Sequence, residues 1–218
     1  MLRSFHLTCV LIFSACFGYS QTDPSAAVTF TLDFPSSQPE HYSIRVHSDA
    51  TAHYESSGRL SADSDETDSF DLDCALTPET RQKVFDLAAK AGYFQKDVDA
   101  HRKGLAFTGK KTLTYKDGKR DGESTYNYSS NQFVQDLTVL MQSISETLEF
   151  GHRLQYDHHY QKLALDEELK RMEEMAQSKQ LIEVAAIRPI LDQIIADQSV
   201  INVTRARAQR LLERPSPR

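Results

Sequence analysis

The stretch HRLQYDHHYQKLALDEELKRMEEM, residues 152–175, gathers most of the groups that could do chemistry. His152, His158 and His159 stand beside Asp157 and two tyrosines, Tyr156 and Tyr160. On a helix His152, Tyr156 and His159 share one face, and His158 points elsewhere. Zinc ligands on a helix sit four residues apart, as in His-Glu-x-x-His, and that motif is absent. A gap of seven residues separates two Cα atoms by about 10.5 Å, a long reach for one ion. The spacing therefore predicts a solvated helix face. No metal ligand, cofactor site or catalytic residue is assigned.

Three other features raise the same question. His41, Arg45, His47 and His53 fall on the polar face of a period-two segment, opposite Tyr42, Ile44 and Val46. They suit an anion or an acidic partner, and equally the wet side of an antiparallel sheet. Asp63, Asp65, Glu66, Asp68, Asp71 and Asp73 form an acidic run, but the spacing of a calcium-binding loop is not met, so a charged loop is expected. Cys74 lies on the apolar side of a predicted strand with no base argued beside it, which predicts an unreactive thiol. Gly-x-Ser-x-Gly, phosphate-loop and dinucleotide motifs are missing, so the reading leans away from an enzyme.

The elements that position these residues change period near residue 130. Val28, Phe30 and Leu32 alternate with polar neighbours, a strand signal. In HYSIRVHSDATAHYES, pairing Val46 with Ala52 and Ile44 with Tyr54 keeps each face uniform. That register gives a hairpin with the loop Ser48-Asp49-Ala50. GRLSADSDETDS reads as a loop, and Phe70, Leu72 and Cys74 mark another strand. Thr77 is a good N-cap, Pro78 suits the first helical position, and Gly92 is the expected stop. KKTLTYKDGKRDGESTYNY reads as a second hairpin. With both Asp-Gly pairs in its loop, Leu113 and Tyr115 face Tyr128 and Tyr126.

From residue 130, Phe133, Leu137, Leu140, Ile144 and Leu148 predict a helix lying on the sheet, capped by Ser129 or Ser130. Gly151 should interrupt or bend it. Helical character resumes through Leu154, Tyr160, Leu163, Leu169 and Met172, with Asp166–Lys170 and Glu167–Arg171 as i,i+4 pairs. QSKQ reads as a turn. Two shorter helices follow, the first broken or started by Pro189, and together they read as a hairpin packed on the long helix. The fold class is therefore α+β: a small antiparallel sheet with a packed helix, then a long helix and a C-terminal helical hairpin. The expected divisions are an α+β domain over 27–150, a helical extension over 151–213, and a disordered tail over 214–218.

The strand pair HYSIRVHSDATAHYE, the segment LTPETRQKVFDLAAKAGYF and the strand TLTYKDGK together resemble a family of small domains of unknown function in exported bacterial proteins. In that family a helix closing on a Tyr-Phe pair precedes a strand with Asp-Gly-Lys. The resemblance covers roughly residues 40–145. It implies an envelope location and an α+β fold, and no activity. The usual Asp-Gly of the first hairpin is Asp49-Ala50 here.

Compartment follows from the first 20 residues. MLRSFH, the apolar run LTCVLIFSACF and the small residues Gly18 and Ser20 have the order of a secretory signal, with cleavage after Ser20. FSAC offers a rival, lipidation at Cys16, although Phe13 stands where a lipoprotein box has Leu. The apolar run is too short to span a bilayer. Cleavage leaves 24 basic and 31 acidic residues, net −7, which argues against nucleic acid as a partner. It also leaves Cys74 alone, so no internal disulfide is expected. Residues 201–218 hold five Arg and one Glu, against the acidic remainder. Arg207, Arg210 and Arg214 recur at helical spacing. They suit pairing with the acids of the long helix, or docking to an acidic partner or anionic lipid. The expected function is a non-enzymatic, exported envelope protein that binds another envelope protein. The alternatives are a metal-assisted hydrolase using His152 and His159, and a small-ligand or carbohydrate binder using the Tyr and His residues of the sheet.

Overall fold

The structure, a computed structural model, describes residues 26–35, 37–59, 67–178 and 180–214. The segment expected to be a signal, most of the acidic loop and the last four residues lie outside that set.

Period-two alternation builds six strands: β1 (Ala27–Asp33), β2 (His41–His47), β3 (Thr51–Arg59), β4 (Thr67–Ala75), β5 (Lys110–Lys116) and β6 (Asp121–Tyr126). They form one antiparallel sheet in the order β4-β3-β2-β1-β5-β6. Val28, Phe30, Leu32, Ile44, Val46 and Tyr54 all point to the covered face. The first hairpin has the expected register, Val46↔Ala52 and Ile44↔Tyr54. Its loop is Ser48-Asp49-Ala50, and Ala50 takes φ +74°, a left-handed conformation that glycine adopts at less cost. The Asp49 carboxylate accepts from the Thr51 amide at 2.9 Å and hydroxyl at 2.7 Å, which holds the turn. Strands β3 and β4 run further than expected, into Gly58–Arg59 and Thr67–Ser69.

The second hairpin differs from expectation. Leu113 pairs with Ser124, and Tyr115 with Gly122, four residues from the predicted partners. Only Asp117-Gly118 lies in the turn. There the Asp117 carboxylate accepts from the amides of Lys119 (3.0 Å) and Arg120 (2.7 Å) and from the Tyr115 hydroxyl (3.0 Å). Asp121-Gly122 enters β6, whose covered face presents Gly122 and Ser124. A turn at Gly92–Phe94 lies directly over them. A Cβ at residue 122 would run into the Tyr93 carbonyl oxygen, so only glycine fits.

Five helices complete the fold: α1 (Pro78–Lys90), α2 (Gln132–Tyr160), α3 (Leu165–Gln177), α4 (Arg188–Ala196) and α5 (Asn202–Glu213). Helix α1 has the predicted start. Thr77 Oγ1 accepts from the Thr80 amide, and Pro78 follows. Helices α1 and α2 cover one sheet face; the other faces solvent. The cap of α2 is Asn131, not Ser129 or Ser130, and its buried stripe begins at Val134; Phe133 is exposed.

Gly151 does not break α2, which continues to Tyr160, so the helix crosses the expected 150/151 division. Gly151 instead admits Ile187: a Cβ there would lie 2.6 Å from the Ile187 Cγ2. Helices α3, α4 and α5 fold back on α2, burying Leu165, Leu169, Met172, Ile187, Leu191 and Ile194 in a core continuous with the sheet's. Tyr160 and Leu163, expected on the apolar stripe, are exposed where the chain turns from α2 to α3. The Arg-rich end pairs within the chain. Arg207 donates to Asp166 (2.9 Å) and Glu173 (2.6 Å), and Arg210 to Glu173 (2.8 Å). Asp166 thus serves Arg207, not the i,i+4 Lys170. No helix among the described residues is long and apolar enough to cross a membrane.

Candidate functional site

A cleft of about 530 Å³ opens where the far ends of β3 and β4 meet α2 and α3. Strand alternation brings Ser56 and Asp68 to its floor. The 3.6-residue period of α2 brings Glu149, His152 and Tyr156 to one wall, and Glu168 of α3 closes the other side.

Glu149 sits at the bottom and is buried. The Tyr54 hydroxyl donates to its Oε1 at 2.7 Å. Burial pushes the Glu149 carboxyl up, but hydrogen bonds from His152, Ser56 and Tyr54 outweigh it and hold the group below the ordinary glutamate value. The same burial, together with the Glu149 charge, pushes the Tyr54 phenol far up, so it stays a donor. His152 stands between two carboxylates. Its Nδ1 is 3.7 Å from Glu149 Oε2, and its Nε2 is 3.4 Å from Asp68 Oδ2. Its ring stacks on Phe70, with centroids 4.3 Å apart and planes 6° apart. Phe70 thus covers one face of the imidazole, and a carboxylate lies near each ring nitrogen.

Further out, Arg153 is neutralised by Glu168 and by Glu146 at 3.6 Å, and its guanidinium lies 4.4 Å from the Phe150 ring centroid. Asp157 is pushed above the ordinary aspartate value, by partial burial first and then by the Glu168 charge. Arg59 is bound to Glu40 at 2.8 Å. The cleft thus lines itself with more carboxylates than cations; Arg59 and Arg153 are ion-paired, and the Arg171 guanidinium lies 5.5 Å from the Phe150 ring centroid. Tyr156 lines the cleft and meets Tyr160 in a tilted pair, with centroids 5.0 Å and planes 46° apart, and Leu163, three residues further on, is 89% exposed.

The residues singled out in sequence are scattered. His152 and Tyr156 line the cleft. His159 lies outside it, its ring against Tyr160. His158 faces the other way, 3.0 Å from Asp197, which also accepts from Lys162. His152 and His159 share no partner. Among the described residues no three His, Cys, Asp or Glu side chains are grouped to hold a metal ion. His41 and His53 lie on the open sheet face against Asp33 (2.6 Å) and Asp73 (2.8 Å). Tyr42, Tyr54, Tyr115 and Tyr126 are buried under the helices, so no single surface presents both the tyrosines and the histidines. Burial pushes the Cys74 thiol up to about 11, which keeps it protonated near neutral pH. Of the acidic run, Asp68, Asp71 and Asp73 are described and belong to β4.

Sequence reasoning missed Glu149 and Glu168, and it placed Asp68 in a charged loop where the structure sets it 3.4 Å from His152. One signal was present: Glu149 lies within Leu148–Gly151, four consecutive buried residues of α2, with His152 three positions on. An acid on the core arc of a helix needs partners. Comparison with known proteins finds no family whose pattern matches the chain and no curated protein similar to it. The fold and the cleft are what define it: an α+β protein with an acidic, aromatic-lipped cleft between sheet and long helix.

Proposed function

We propose that the protein is a non-enzymatic binding module of the cell envelope whose partner is another protein. The observation that carries this reading is the exposed set Tyr156, Tyr160 and Leu163 where the chain leaves α2 for α3, with Tyr156 lining the cleft. Phe133 and Val139 of α2 are exposed as well, but they stand apart in sequence, whereas these three fall within eight residues. Two exposed tyrosines in contact, one of them lining a polar cavity, have the composition of interface anchors, which combine large area with few rotatable bonds. Each ring nitrogen of His152 lies near a carboxylate, so neither is set against a hydroxyl. That supports binding over hydrolysis. The charge–apolar–small order of the first 20 residues supports export.

The test is a photo-crosslinking residue placed at Tyr160 of the exported chain, with one on the open sheet face at Arg45 as control. A discrete protein adduct at 160, absent at 45 and lost with Asp157→Arg, supports the reading. Equal labelling at both positions overturns it.

A further inference from the structure

Strand β4 is an outer strand of the sheet, nine residues long, paired with β3 from Thr51↔Ala75 to Arg59↔Thr67. Its far edge pairs with no described strand. Its covered-face residues Phe70, Leu72 and Cys74 are only half-buried, whereas their β3 partners Ser56, Tyr54 and Ala52 are buried. A long edge with a partly covered apolar row is the platform that strand addition uses, because a new strand satisfies the backbone and completes the row at once.

Charge says what kind of strand fits. Asp68, Asp71 and Asp73 lie along β4, with no base between Thr67 and Ala75. Asp71 stands directly opposite Glu55 on the exposed face, a like-charge pair that is unfavourable by itself. A lysine or arginine on an added strand would relieve it. A second copy would set acid near acid along the new seam, which disfavours self-pairing. The edge also leads to the cleft, since Asp68 is part of the cleft floor.

We propose that β4 is the docking edge for an extended basic segment of the partner protein, alternating apolar residues with Lys or Arg, which adds as a seventh strand and runs on toward the cleft. This deepens the protein-binding reading and rests on it.

The probe is a synthetic eleven-residue peptide alternating Lys with Val and Thr, added to the full mature chain. Two controls accompany it: Glu in place of Lys, and alternate backbone nitrogens methylated, which keeps charge but blocks strand pairing. Fluorescence anisotropy should show the lysine peptide binding at least tenfold more tightly than either control. Hydrogen exchange should slow at residues 67–75. The exposed double change Glu55→Lys with Asp71→Lys should weaken binding at least tenfold. Equal binding of the methylated peptide, protection confined to α2 and α3, or protection of β4 that follows protein concentration without peptide would each overturn the edge. A Tyr160 crosslink that persists while β4 stays unprotected leaves the protein-binding reading standing and overturns the strand addition alone.

Discussion

Two backbone positions set opposite expectations for single changes. Ala50 sits at φ +74° in a tight loop, so Ala50→Gly should raise stability by about 1 kcal/mol, the left-handed penalty less glycine's entropic cost. That corresponds to a thermal midpoint about 2–4 °C higher. Gly122→Ala should do the reverse, since its methyl group meets the Tyr93 carbonyl. Reading both changes by circular dichroism in one thermal series checks the pair, and a stabilised Gly122→Ala would refute the close approach. Acidification acts at Glu149 and Glu173. At each, burial raises the pKa and hydrogen bonds lower it further, from His152, Ser56 and Tyr54 at Glu149 and from Arg210 and Arg207 at Glu173. Both are depressed acids. Their contribution is present above the ordinary glutamate value of 4.5 and is lost as pH falls through the lower folded values. The midpoint should therefore fall on going from pH 5 to pH 3, by less in Glu149→Gln. A midpoint that holds level through that range would contradict the assignment.

Among the elements, the helical pair α4–α5 tests apolar contact against charge. Ile194 is fully buried, while half of the Arg210 side chain is exposed and Arg207 also serves Glu173. Ile194→Asp should cost at least about 2–5 kcal/mol, as large-to-small core changes do, with a buried charge added. Arg210→Ala should cost about 1 kcal/mol or less. Limited proteolysis near residues 177–181 reads the difference, and equal resistance of Ile194→Asp and the parent chain would sink it. The elements also show where the sequence was legible. The first hairpin could be registered because Val46, Ile44, Ala52 and Tyr54 face a helix-covered core, so hydrophobicity reports the face. The second could not, because Gly122 and Ser124 face a turn of the chain. There the selecting force is clearance for a carbonyl and a hydrogen bond from the Val98 amide to the Ser124 hydroxyl. Hydrophobic pattern carries no trace of either. The cleft was hidden for a related reason: Asp68 and His152 meet only once a strand end and a mid-helix residue are packed together.

At the scale of the whole molecule, sheet and extension share one core and one cap. The Glu183 carboxylate accepts from the Thr77 amide (3.0 Å) and hydroxyl (2.6 Å), and the Thr147 hydroxyl donates to the Ile182 carbonyl (2.7 Å). Reading 27–150 as a separate domain implies that truncation after Met175 leaves the sheet intact. Shared burial of Phe150, Leu154 and Ile187 implies instead a loss of several buried side chains, each worth about 1.5–3 kcal/mol. The truncated chain should therefore melt well below the parent and bind a hydrophobic dye; an unchanged midpoint would restore the separable domain. Intact mass of the exported chain checks the leader, with a start at Gln21 expected, and an acylated Cys16 or a retained Met1 would exclude that cleavage.

Glu183 lies 106 residues beyond the threonine it caps, at the entrance to the last two helices. A ribosome has thus added 106 residues beyond Thr77 before the first helix can receive this partner. Sheet strands can meet earlier, but the structure closes from its tail. Contacts made last are absent from the folding barrier, so weakening them shortens the lifetime of the finished protein more than it delays its formation. Glu183→Ala should therefore speed unfolding more than it slows folding, which stopped-flow kinetics can read.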